Sequence, residues 1–188
     1  LSFLMVKGRF RFYALKLCLL LFVIFLIQYF VSGFTDFFLL NSSSFTQPWR
    51  FLTAIFLHGS FMHLFYNIFA LGLFGSMLER LVGGKRFLII FFITGILANT
   101  VSVNFYDSSL GASGAIFGII GALIIVRPLM VVWAFGLPMP IFIAGILWAG
   151  GDLIGLFVPS GVANLAHLSG MFFGLLFGAL YRKRALKI

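Results

Sequence analysis

All three histidines of the chain fall in or beside long apolar runs, together with a serine framed by glycines and two asparagines. The set comprises His58, His63 and Asn67 in HGSFMHLFYN, Ser113 in GASGAIFG, and Asn164 and His167 in NLAHLSGMFFG. Ionisable side chains inside a bilayer are costly and by default mark a functional site. The chemistry these types suit is acyl transfer. A serine hydroxyl is a weak nucleophile until a neighbouring base takes its proton, and a neutral imidazole does this near pH 7. Taken singly, each residue has a plainer reading: serine beside glycine is common packing in membrane helices, and a histidine near a span end is commonly interfacial. GASGA also departs from the G-x-S-x-G elbow of soluble hydrolases, because Ala115 stands at the last glycine position and no strand precedes it.

The elements that must position these residues are membrane helices. Of 188 residues, 62% are hydrophobic and only 9% charged, with a mean hydropathy of +1.17, against roughly 25% charged residues in a soluble domain. At about 20 apolar residues per helical span, the chain holds six spans as one unit over 1–188, with no room for a second soluble domain. A spanning segment must satisfy its own backbone hydrogen bonds, and the alternation of a barrel strand is missing, so the fold class is an all-α polytopic bundle. Spans are expected at about 12–31, 57–79, 86–104, 112–126, 138–157 and 163–181, with an interfacial loop over 32–52. The fourth is short before Arg127-Pro128 stops it, which implies that it starts below the surface in a protein-lined cavity.

The formal charge of +9 excludes a nucleic-acid role by its distribution, since the basic residues flank apolar runs and form no long tract. Placing the N-terminus in the cytoplasm puts twelve of the thirteen on the inner side: Lys7, Arg9, Arg11, Lys16, Arg80, Lys85, Arg86, Arg127, Arg182, Lys183, Arg184 and Lys187. Arg50 alone falls outside. The four acids, Asp36, Glu79, Asp107 and Asp152, are expected in loops or near span ends. Cys18 is expected to be packing; neither a disulfide framework nor metal-ligand spacing is present, and no cofactor is implied. Asn41-Ser42-Ser43 matches a glycosylation acceptor, a motif too common to carry weight.

This orientation makes spans two, four and six run from outside to inside, so their first turns share one depth. Those first turns carry His58, His63 and Asn67, then Ser113, then Asn164 and His167. His63 and Asn67 lie four apart, on one helix face. Gly170, Gly174 and Gly178 smooth one face of span six after His167, and Gly114, Gly118, Gly121 and Ala122 do the same for span four. Small residues at spacing four let membrane helices approach closely, which brings Ser113 beside His167. A helix N-terminus at Ser113 also offers free backbone N–H groups and the positive end of the dipole. With His63 and Asn67 these donors suit the oxyanion of a tetrahedral intermediate. Phe117, one turn below Ser113, is placed to support the His167 ring.

These residues resemble the rhomboid family of intramembrane serine proteases over nearly the whole chain. The resemblance is carried by Trp49-Arg50, His63-x-x-x-Asn67, Glu79-Arg80 with Gly83, Gly111-x-Ser113-Gly114, and Ala166-His167-x-x-Gly170-x-x-x-Gly174, in the family's order. It implies a six-helix bundle with a Ser–His dyad and no third acid, with Ser113 as nucleophile and His167 as base. His63, Asn67 and the Ser113 amide would line the oxyanion hole, supported by Gly111, Gly114, Phe117, Gly170 and Gly174. Substrates and partners would be transmembrane segments of other proteins within the lipid bilayer, cut near the outer face where Gly, Pro or polar residues loosen the helix. Span five, the VPSG connection and Asp152 would form the mobile gate. Phe117 stands where well-known bacterial members have tyrosine, which keeps stacking and loses the hydroxyl. The short stretch before span one implies that the cytoplasmic domain of some members is absent. Short loops point to a prokaryotic inner membrane, with both termini cytoplasmic and the site opening outward.

Two rivals are weighed against proteolysis. A catalytically inactive relative would bind membrane-protein clients on the same scaffold, but both Ser113 and His167 are retained. A small-solute transporter would need an internal repeat or a mid-span acid.

Overall fold

The structure, a computed structural model, describes residues 10–158 and 161–185, with the side chains of 183–185 not described. Lys7, Arg9, Lys187, the side chains of Lys183 and Arg184, and Pro159 and Ser160 of the VPSG connection therefore lie outside it. The described chain is an all-α bundle of six apolar helices with two small antiparallel strand pairs. The helices are α1 (Tyr13–Phe30), α2 (Phe61–Val82), α3 (Gly84–Ser102), α4 (Ser113–Val126), α5 (Ile141–Gly155) and α6 (Asn164–Ala185). Four are long and apolar enough to cross a membrane; α4 and α5 are shorter. With 14 and 15 residues, these two rise only about 21–23 Å, less than the roughly 30 Å of bilayer hydrocarbon.

Several span boundaries differ from the sequence reading, each for a local reason. The second helix starts at Phe61 rather than 57, because Ser60 is its N-cap and its hydroxyl accepts the His63 N–H at 3.1 Å. His58 therefore precedes the helix instead of lying in its first turn. That helix runs on to Val82, where Gly83 breaks it with φ 84°, so the third begins at Gly84 and ends at Ser102. A π-helical turn over Leu71–Gly75 interrupts α2. Residues before Ile141 do not join α5. Instead β3 (Val131–Ala134) and β4 (Leu137–Pro140) pair antiparallel, leaving β1 (Leu40–Asn41) and β2 (Ser108–Ser109) as the other pair. Pro138 and Pro140 lack the amide a helix needs, while Phe135 and Gly136 take φ of 54° and 77°, the signs of a tight hairpin turn.

At the centre, α4 buries Gly114, Ala115, Ile119, Ala122 and Leu123 between its neighbours, and its most extensive partner is α6. The seam is made of backbone. A Cβ added at Gly170 would fall on the carbonyl oxygen of Gly114, one at Gly174 on that of Gly118, and one at Gly121 on that of Met171. Further along, a Cβ at Gly178 would stand only 2.8 Å from the Ala122 carbonyl oxygen. On the other side of α4, a Cβ at Gly114 would stand 2.7 Å from that of Ala98 on α3.

The rim elements are held by buried polar groups. Arg50, 6% exposed, closes the 31–60 loop by donating to the carbonyls of Asp36 at 2.8 Å and Leu39 at 2.7 Å and to Gln47 Oε1 at 2.6 Å. The β1–β2 pair ties that loop to the segment entering α4. At the opposite end the Glu79 carboxylate accepts the backbone N–H groups of Arg11 and Ala14, both at 3.1 Å, capping the start of α1. Cys18 is buried on α1 with its thiol 3.5 Å from the Ile68 carbonyl.

If the α4–α6 seam carries the bundle, Gly174→Ala overpacks it at a cost of about 1–3 kcal/mol. For a chain of this size that lowers Tm by roughly 2–12 °C. Gly150→Ala, at a position where an added Cβ meets nothing within 4 Å, leaves Tm in the same detergent unchanged or slightly higher.

Candidate active site

Ser113 opens α4 and His167 lies in the first turn of α6, and the glycine seam between the two helices sets their separation. Ser113 Oγ and His167 Nε2 are 2.8 Å apart. The loop entering α4 is fixed before it reaches the serine. Gly111 donates its N–H to the Ala54 carbonyl at 2.9 Å and takes φ 124°, a conformation glycine alone adopts readily. A Cβ at Gly111 would stand 2.8 Å from His63 Cε1 and 2.9 Å from Nε2, so a larger residue there would push into the His63 ring. The first intrahelical acceptor in α4 is the Ala112 carbonyl, taken by the Ile116 N–H. The amides of Ser113 and Gly114 are thereby left at the open helix end.

The imidazole of His167 is held on three sides. Phe117 stacks on its face with centroids 4.4 Å apart and planes at 6°. Ser113 sits at Nε2, and Asp152 Oδ1 lies 3.0 Å from Nδ1. The last contact changes one expectation of the sequence reading, which left the histidine without an acid. Asp152 lies within α5, 8% exposed. It got there because the C-terminal end of α5 comes very close to the start of α6: a Cβ at Gly155 would be 2.7 Å from Asn164 Nδ2. The signal in the sequence is an acid embedded in the apolar run IFIAGILWAGGDLIG. Tyr106, in a connecting loop with no motif around it, also contributes: its hydroxyl accepts the Leu165 N–H at 3.1 Å and so satisfies one of the open donors of α6.

His63 and Asn67 sit on the α2 wall of the cavity that also holds Ser113 and His167. Asn67 Nδ2 spends one hydrogen on the His63 carbonyl at 2.8 Å, and its Oδ1 is buried with no hydrogen-bond partner among the described residues. The cavity measures about 1410 Å³ and extends from the polar rim down past Phe74 and Trp148 to Trp133 and Phe135 of the β3–β4 hairpin. Asn164, 6% exposed, faces Gly155 rather than the serine. His58 stands behind the site: it packs edge-on against His63 at 5.0 Å, its backbone N–H donates to Gln28 Oε1 at 3.0 Å, and it is 2% exposed. Neither ring nitrogen has a partner among the described residues. Burial, and then the neighbouring His63, push its pKa down to about 3 against a weaker opposing interaction at Phe56. No group of three or more His, Cys, Asp and Glu capable of holding a metal occurs among the described residues.

Six apolar helices around a recessed hydroxyl–imidazole pair define an integral membrane protein of the helical-bundle class with a polar site enclosed in it. The model of the Rhomboid domain matches residues 45–184, and the chain belongs to the rhomboid family. It is 33% identical over 136 residues to RHOMBOID-like protein 7 of Arabidopsis thaliana, covering 71% of this chain and 43% of that protein. Over 80 residues it is 48% identical to the rhomboid protease GluP of Bacillus subtilis, covering 42% of this chain and 16% of that protein. With the rhomboid protease GlpG of Yersinia pseudotuberculosis it shares 28% identity over 140 residues, 72% of this chain and 49% of the relative. The chain thus spans less than half the length of these relatives.

The low pKa of His58 has a consequence for stability. Between its ordinary 6.5 and about 3, the unfolded chain binds a proton there that the folded chain does not. Stability therefore falls as the pH falls through that window. In a Tm-against-pH series in detergent, His58→Gln should flatten part of that slope; an unchanged slope would show that the buried ring does not carry it.

Proposed function

We propose that the chain is an intramembrane serine endopeptidase that cleaves transmembrane segments of other membrane proteins. The observation that carries the reading is the 2.8 Å contact between Ser113 Oγ and His167 Nε2 inside a cavity reached from the rim of an apolar bundle. His167 Nε2 takes the Oγ proton as Oγ bonds to the scissile carbonyl carbon. The resulting oxyanion is held by the Ser113 amide with His63 and Asn67, donors that need no reorganisation as charge develops. His167 then delivers its proton to the leaving amine, and water, activated by the same nitrogen, hydrolyses the acyl-enzyme. A scissile amide in a regular helix is shielded, so segments weakened by Gly or Pro are the preferred substrates. The bias of twelve basic residues to one side supports a site opening away from the cytoplasm, as in a prokaryotic inner membrane.

In liposomes, a fluorophosphonate probe is expected to label Ser113, and Ser113→Ala to abolish both labelling and cleavage of a single-span substrate. An alanine variant that cut as fast as the wild type would refute the assignment. His167→Ala should block acylation almost completely, whereas Asn67→Ala, removing one oxyanion donor, should slow turnover on the order of 10²-fold.

A further inference from the structure

The His167 ring is more constrained than a dyad requires. We infer that Asp152 is a positioning residue, which through its contact with Nδ1 holds His167 in the tautomer and orientation that present the Nε2 lone pair to Ser113. The inference rests on the proteolytic reading above and adds a third member to its machinery.

The geometry is that of an oriented base. A neutral imidazole carries its proton on either nitrogen, and only the Nδ1–H form leaves Nε2 free to accept from a hydroxyl. Asp152 Oδ1, 3.0 Å from Nδ1, accepts that N–H and selects the form needed. Phe117 prevents the ring from tilting, but a stacked hydrocarbon cannot distinguish the tautomers. The acid has little else to do: its Oδ2 is buried without a hydrogen-bond partner among the described residues. A half-satisfied carboxylate is costly in such surroundings. It becomes favourable when the ring beside it turns cationic, as it does while Ser113 attacks. The other groups facing the ring are Ser113 and Phe117 of α4 and His63 of α2, with Tyr106 and Asp107 on the rim of the same cavity; none of these contacts Nδ1. The proton on Nδ1 stays there throughout, and only the proton at Nε2 moves.

Asp152 is delivered by the contact of Gly155 with Asn164, so the acid is in place only while the end of α5 is seated on α6. Movement of α5 away from α6 would disarm the base along with opening the cavity.

The test is Asp152→Asn in the full chain, with wild type and Ser113→Ala alongside. A single-span substrate in liposomes gives kcat and KM, and the Nδ1–H proton resonance of His167 is recorded in detergent. We expect kcat to fall on the order of 10²-fold or more, since the loss of the equivalent acid in a soluble triad costs about 10⁴-fold, with KM little changed. The downfield Nδ1–H resonance should disappear. Asp152→Glu, which keeps the charge, should recover part of both signals, and Asp152→Ser replaces the asparagine form if that does not fold. An active wild type with an unchanged kcat in Asp152→Asn overturns the inference and leaves the proteolytic reading intact. A wild type that neither labels nor cuts overturns that reading instead, and persistence of the resonance in Asp152→Asn then still rejects the Asp152 contact.

Discussion

The contact of glycine backbone on glycine backbone between α4 and α6 is the constraint on which the rest of the molecule depends. Lipid tails are as apolar as leucine, so two helices in a bilayer gain nothing by hiding hydrocarbon from each other. They gain from close packing, and here Gly170 and Gly174 lie directly over the carbonyls of Gly114 and Gly118. No side chain fits between. Because the seam begins at Gly114, the residue before it is carried to the same short distance from α6. The 2.8 Å between Ser113 and His167 is thus the end of a packed interface and does not depend on a flexible contact.

The outer parts of the structure serve to protect that geometry from the two places where it is weakest, the helix starts. A helix N-terminus has unsatisfied amides. At α4 the Ser113 and Gly114 amides are left open beside the serine, while the turn before them is fixed by the bond from Gly111 to Ala54 and by the β1–β2 pair. At α6 the Tyr106 hydroxyl takes the Leu165 amide. The loop holding Ala54 is itself closed by Arg50, whose charge is spent on backbone carbonyls and a glutamine. A polar network of this kind rigidifies because each broken bond leaves a buried group unpaired.

The two short helices raise a separate point. At 14 and 15 residues, α4 and α5 leave part of the membrane thickness to be filled by something else. Above α4 that is the cavity with its polar rim; below it, toward α5, it is the β3–β4 hairpin, whose strands pair their own backbone over four positions. Irregular backbone at membrane depth is tolerated where its groups are satisfied or face a cavity, and both conditions occur here.

Composition and spacing by themselves determined the class of this protein and its helical order. Hydrocarbon demands internal backbone hydrogen bonds, and runs of about 20 apolar residues admit few alternatives. The same spacing made the glycines of spans four and six readable as a seam, because residues four apart share a face wherever the helix goes. What only tertiary structure decided were the events at helix ends and between helices distant in sequence. His58 fell outside α2 because Ser60, not the hydropathy, sets the helix start. Residues 131–140 became a hairpin because two prolines and a positive-φ pair outweigh an apolar composition. Asp152 reached His167 because Gly155 admits Asn164. No periodicity within α5 encodes that contact: it is a property of two surfaces meeting, and a sequence specifies each surface without displaying their distance.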